Sequence, residues 1–349
     1  MNRFERMKGR GLCLCLAAVL LAGCGQGGVR SALYFETETE AVQEASEGET
    51  LLLTHSFSGG SPVDEAAGEF ARVLLEAGGP AVDIYPNNTL GNVSGGFEAV
   101  TKGTVDMRIG GSGGEVMTIL SWMPTMADIS LEELNDQLQV GGEIYSLLEE
   151  EYRKRNVQLL GVFRPEYRLL TSNRRIDSVE DFKGLKIRIV SGTSDHLFWE
   201  SLGAQPDNSY QIEEVYTALQ MGLVEAEENP LATICDRKFY EQQKYLVESG
   251  MRLQINTIFV NLDYWKGLDP AQKELFRQAA AAAVKKGNEL SRELVEDNYE
   301  LIRSHMEILA FPETEMQKVR EISGRVMKEE IIEQYGDEML TRLQEIVTE

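Results

Sequence analysis

Ser178-Val179-Glu180-Asp181-Phe182-Lys183-Gly184-Leu185-Lys186-Ile187-Arg188-Ile189-Val190 is the stretch on which the fold assignment turns. A serine with a carboxylate three residues on can satisfy the first free amides of a helix, so Ser178 and Asp181 predict a helix start. Gly184 stops that helix after about one turn. Alternation then predicts a strand over 185–190, with Leu185, Ile187 and Ile189 on one face and Lys186 and Arg188 on the other. Arg188 is thereby offered on rigid backbone near the carboxyl end of a strand.

The same alternation of strand and helix extends in both directions and predicts an α/β protein. Leu51-Leu52-Leu53 leads into Thr54-His55-Ser56, and a helix opens at Ser61-Pro62. Its apolar residues Val63, Ala66, Ala67, Phe70, Val73 and Leu74 recur at helical spacing until Gly78-Gly79-Pro80. Strands are predicted over 82–85 and 105–109 with a short helix over 96–102 between them, which suggests a parallel sheet. A helix over 140–154 precedes a strand over 157–163. From Asp269-Pro270 to about Ala310 the pattern is helical throughout, interrupted by Gly287 alone. Sustained heptads are missing there, so a helix running along two domains fits better than a coiled coil.

The amino-terminal segment differs from the rest. Arg3, Arg6, Lys8 and Arg10 precede the apolar run from Leu12 to Ala22, which is too short for a permanent membrane helix and reads as a secretory signal over 1–23. Leu21-Ala22-Gly23-Cys24 resembles a bacterial lipobox, which implies cleavage before Cys24 and its lipidation. Two acyl chains hold a protein at a membrane where one would not. Residues 24–48 then form a lipidated cysteine and a flexible tether rich in Gly, Glu, Ser and Thr. Cys235 is left as the only thiol of the folded part, so no disulfide is available there.

The chain of 349 residues carries a net charge of −23. Removing four basic residues and one acidic one with the signal, from totals of 34 and 57, brings the charge near −26. Such a field makes nucleic acid an improbable partner. No phosphate-binding glycine loop of the Walker type and no dinucleotide fingerprint is present, so no nucleotide cofactor is expected. The isolated histidines and single cysteine show no ligand spacing for a metal. Gly110-Gly111-Ser112-Gly113-Gly114 has the form of a hydrolase nucleophile elbow, but the base would have to be His55, His196 or His305. A glycine-rich turn lining a pocket explains the same residues. Arg168 and Arg188 are sharper signals, because each sits among apolar residues in a strand, where a cation requires a partner. That partner is either a carboxylate of the chain or one from solution.

Four segments bear on this choice: Asp181 to Arg188, Leu202-Gly203-Ala204-Gln205-Pro206, Glu214 to Gln220, and Glu228-Asn229-Pro230-Leu231. With Pro86 to Gly91 and Gly103 to Met107, they resemble the DctP-like family of TRAP solute receptors in order and near spacing. The resemblance implies a two-domain periplasmic-binding-protein-like α/β fold with an interdomain cleft and a long domain-spanning helix. Domain I would comprise 49–165 plus about 250–285, and domain II 166–249 plus about 286–349. It also implies that Arg188 grips the ligand's carboxylate, with Arg168 and Asn229 beside it. His55, Ser112 and Ser191 occupy segments that border the cleft in relatives, and Glu228 belongs to a matched motif; these are secondary candidates. A monomeric receptor is expected to catalyse no reaction and to deliver a small organic acid to TRAP membrane permease subunits. It would touch the membrane through its lipid anchor only, on the outer face. A sensor for a membrane signalling protein and a surface serine hydrolase are the alternatives. Glu166, Glu225 and Glu227 depart from the family pattern, and extra carboxylates favour a hydroxylated acid over a plain dicarboxylate.

Overall fold

The computed structural model describes residues 50–111, 120–127, 129–190 and 192–348. The signal segment, the tether, Cys24, Ser112 and Ser191 lie outside the described residues. The strands are β1 (Leu51–His55), β2 (Val82–Tyr85), β3 (Met107–Gly110), β4 (Val157–Val162), β5 (Glu166–Ser172), β6 (Lys186–Arg188), β7 (Gln205–Asp207), β8 (Ala226–Pro230), β9 (Tyr245–Gln254), β10 (Thr257–Asn261) and β11 (Glu307–Ala310).

They form two sheets, of order β2-β1-β3-β10-β4 and β11-β9-β5-β8-β6-β7. In the first, β1 pairs in parallel with β2 and β3, as the strand and helix alternation predicts. β10 then runs antiparallel to both β3 and β4, so the sheet is mixed. The second is mixed as well: β5 is antiparallel to β8 and β9, whereas β6 is parallel to β7 and β8. Apolar clusters cover both faces of each sheet, which is why β4, β8 and β10 are buried along their whole length. Two short crossings join the sheets, 163–165 from β4 to β5 and 255–256 from β9 to β10, and a third, longer passage runs from β10 to β11 through the helices between them.

The local signals act as their chemistry requires. Ser61 caps the helix Pro62–Glu76 by accepting from the Asp64 amide at 3.2 Å, with Pro62 in the first turn. Ser178 and Asp181 form a reciprocal capping box on a single 3-10 turn, Val179–Phe182. Asp269 and Gln272 do the same for Pro270–Glu293. That helix packs along Pro62–Glu76 through Phe276, Ala279, Ala280 and Ala283. At Gly287 it comes so close to the first crossing that a Cβ would lie 2.6 Å from the Phe163 ring.

The expected helix to about Ala310 is shorter and jointed. It breaks at Leu294, resumes as Val295–Arg303 against the helix Leu231–Asp236, and ends there. Residues 307–310 instead form β11, whose backbone pairs with the otherwise open edge of β9 while Leu309 enters the core. Sheet pairing overrides a helical composition here. The helix expected over 140–154 begins at Glu143, because Gly141 and Gly142 precede it with Gly141 in a left-handed conformation. The stretch after 286, expected in domain II, divides between the two cores. Met316, Val319 and Met327 of the helix Glu313–Tyr335 pack with the second sheet, while Ile331, Met339 and Leu343 join the core of the first.

Candidate functional site

A cavity of about 990 Å³ lies between the two sheets, lined by the turn after β1 on one side and by β5, β6 and β8 on the other. Pairing of β5 with β8 and of β8 with β6 places Arg168 opposite Pro230 and Arg188 opposite Glu227. Three adjacent strands therefore carry Arg168, Asn229 and Arg188 to one wall, and all three line the cavity. The local sequence accounts for Arg188 directly. Leu185, Ile187 and Ile189 enter the core beneath β6, which turns the alternate residues the other way.

The arginines differ in what holds them. Arg188 is buried, its Nε donates to the Tyr210 carbonyl at 3.1 Å, and no carboxylate among the described residues forms an ion pair with it. Burial pushes its pKa down to about 10, and the nearby cationic Arg168 pushes the same way. Arg168 is buried too but well partnered. It donates to Gln254 Oε1 at 2.6 Å, to Asn229 Oδ1 at 3.2 Å and to the Glu228 carbonyl, and its Nε lies 3.5 Å from Glu228 Oε1. Asn229 is held in turn, since its amide nitrogen donates to Glu227 at 2.5 Å.

Arg252, on β9, is a third cavity arginine that sequence reasoning missed. It ion-pairs with Asp195 at 2.8 Å and with Glu228, and its guanidinium lies 4.8 Å from the Trp122 ring centre. The signal that singled out Arg168 was present here as well, a cation between apolar residues in Met251-Arg252-Leu253. Asp195 lies in the first turn of the helix Thr193–Ser201, and burial raises its pKa even with Arg252 beside it. A fourth buried arginine, Arg108, donates to Ser56 and is pressed against Gly96, outside the cavity wall.

The secondary candidates separate on the same criterion. His55 is buried off the cavity wall, with Nε2 3.0 Å from Asp64 and Nδ1 accepting from the Phe57 amide. Burial lowers its pKa against the pull of Asp64. Glu228 lies behind the wall as the shared counter-ion of Arg168 and Arg252.

The three unusual carboxylates also part company. Glu225 is bound by Arg174 at 3.1 Å, away from the cavity. Glu227 is fully buried behind the wall, accepts from Thr171 at 2.6 Å and from Asn229, and is pushed up to about 7 by burial. Glu166 alone of the three lines the cavity, and burial raises it to about 7 with Arg168 opposing.

The cleft is closed at its rim by hydrogen bonds from one side to the other. Ser58 donates to Asp236, Asn88 to Glu213 at 3.1 Å, Asn92 to Gln211 at 3.2 Å, and Arg237 to Asn87 at 3.3 Å. Among the described residues no group of three His, Cys, Asp or Glu side chains is placed to hold a metal ion, and no helix is long and apolar enough to cross a membrane.

An enclosed gap between two α/β lobes, walled by buried arginines, is the architecture of an extracytoplasmic solute-binding protein. The family model for bacterial extracellular solute-binding protein, family 7, matches residues 53–334, and the chain belongs to that family. It is a solute-binding protein of the TRAP transporter class. It is 30% identical over 244 residues to a solute-binding protein of Roseobacter denitrificans, covering 67% of this chain and 73% of that one. A crystal structure from the same organism, with bound L-galactonate, matches with a TM-score of 0.72 and 26% identity over 85% of this chain and 98% of that one. The ectoine-binding protein of Halomonas elongata shares the fold with a TM-score of 0.78 at 21% identity, over 86% and 98% of the two chains. The 2,3-diketo-L-gulonate-binding periplasmic protein of Escherichia coli is 26% identical over 245 residues, 68% of this chain and 72% of that one.

Proposed function

We propose that this protein captures a small organic acid, a sugar or hydroxy acid in particular, by pairing its carboxylate with Arg188, and hands it to a TRAP-type membrane permease. The observation that carries the reading is the buried guanidinium of Arg188 at the cavity wall, with no counter-ion among the described residues. A desolvated cation is costly without a partner, and a carboxylate from solution supplies one with two parallel charged hydrogen bonds. Arg168 and Asn229, fixed by Glu228, Gln254 and Glu227, form the rigid wall beside it. Acid ligands in related proteins, such as the L-galactonate of the Roseobacter denitrificans structure, agree with this chemistry.

Ligand enters the open form and the two lobes close about the short crossings at 163–165 and 255–256, expelling water from the gap. Lipidated Cys24 keeps the receptor at the outer face of the membrane, where the permease lies. No reaction is catalysed; of His55, His196 and His305, one of which a hydrolase would need as its base, none lines the cavity, and His55 is engaged by Asp64. Isothermal calorimetry of the purified protein across sugar acids, hydroxy acids and dicarboxylates tests the proposal. Binding of an acid that disappears in Arg188→Ala is the expected result, and acid binding indifferent to that change would overturn it.

A further inference from the structure

Glu166 opens β5 two residues before Arg168, so the two side chains leave the same face of the strand. It lines the cavity half-buried, and no hydrogen bond or ion pair holds it among the described residues. Of the other charged residues in the wall, Arg168 is paired with Glu228, Arg252 with Asp195 and Glu228, and Arg237 with Asn87 and Asp236. Arg164 and Arg292 are exposed at the wall, where solvent screens them. Among the described residues, the interior of the gap therefore offers two ionisable side chains of opposite kind without an ion-pair partner, the Arg188 guanidinium and the Glu166 carboxyl.

We infer that Glu166 is a specificity residue that makes the cavity select hydroxylated monocarboxylates and reject the corresponding dicarboxylates. The inference rests on the proposed carboxylate grip of Arg188 and assigns the other end of the ligand. A carboxyl held in a desolvated gap accepts hydrogen bonds from hydroxyl groups, and these are stronger than bonds between neutral groups. Above about pH 7 the Glu166 carboxyl is ionised, so a second ligand carboxylate at that place meets a like charge and finds no free cation among the described residues to offset it. A volume of about 990 Å³ is ample for a six-carbon acid and its ordered water.

The test is calorimetry at pH 8, where Glu166 is ionised, with matched pairs, the hexonates and hexarates of gluco, galacto and manno configuration, which differ at the far carbon by a hydroxymethyl against a carboxylate. The whole mature receptor and its Glu166→Gln and Arg188→Ala variants are compared. The wild type is expected to prefer its best hexonate over the matching hexarate by about tenfold or more. In Glu166→Gln the hexonate weakens, the hexarate tightens, and the ratio falls below about threefold. Gln is isosteric, no partner of Glu166 among the described residues is lost and the cost of burying its charge is removed, so the variant should melt no lower than the wild type.

Equal affinity for the two acids in the wild type, or an unchanged ratio in Glu166→Gln, would overturn the assignment of Glu166 while binding that still depends on Arg188 leaves the parent reading standing. Binding confined to acids without hydroxyl groups would also overturn it. Acid binding unaffected by Arg188→Ala, or none at all, would remove the grip and this inference with it.

Discussion

Replacing Arg188 with alanine separates a ligand-gripping cation from a structural one, because the two roles predict opposite stability changes. Two charge-assisted hydrogen bonds to a carboxylate are each worth about 1.5–3 kcal/mol. Water entering the vacated space recovers part of that, so the net loss in binding should be about 2–5 kcal/mol. At 1.4 kcal/mol per factor of ten, this corresponds to a rise in Kd of about 30-fold to several thousand-fold. The ligand-free protein should respond differently. Among the described residues Arg188 has a single acceptor, the Tyr210 carbonyl, and burial, which lowers its pKa, works against its charge. Alanine removes that desolvation cost and leaves no carboxylate unpaired, so the free variant should melt no lower than the wild type. Calorimetry measures the first quantity and thermal unfolding without ligand the second. A variant that binds normally, or one whose free form is strongly destabilised, would show that Arg188 serves an internal partner.

Arg188→Lys retains the charge but not the planar fork, and calorimetry should find binding weakened by at least about 1.5 kcal/mol. Arg252→Ala leaves Asp195 and Glu228 short of a buried partner and should lower stability in urea unfolding by about 3–5 kcal/mol. Glu227 binds its proton more tightly in the folded protein, at about 7, than in the unfolded chain, near 4.5. Its contribution is therefore present below 4.5 and lost as pH rises through about 7. Glu227→Gln can keep the contacts to Thr171 and Asn229, and melting curves from pH 5 to 8 should show a smaller decline than the wild type. Asp236→Ala removes the rim bond from Ser58, at a cost to the closed form of about 0.5–1.5 kcal/mol. A larger radius of gyration in solution scattering and a several-fold faster ligand release are expected.

Local chemistry was legible where neighbours in sequence settle it. The capping boxes at Ser178 and Asp269 and the buried face of β6 follow from spacing alone. Spacing also put Arg168 and Arg188 on strands but could not place those strands beside one another, since β8 joins β5 to β6 from some forty residues further along. Nor could it pair cations with anions: Arg168 and Arg252 draw Glu228 and Asp195 from two other elements, β8 and the helix Thr193–Ser201, while Arg188 draws none among the described residues. The sorting of the extra carboxylates, with Glu225 on Arg174, Glu227 behind the wall and Glu166 within it, is tertiary for the same reason. Likewise β11 owes its form to an edge of β9 that the local sequence does not contain.

The contact between Gly287 and Phe163 has a consequence for how the receptor evolves. A helix with no side chain at that point rests flush against the link on which the lobes would turn. Any larger residue there acts as a wedge, tilting one lobe without touching a polar group of the pocket. Affinity could then be tuned across a lineage by the balance between gaping and shut forms, while the recognition chemistry at the arginines stays constant.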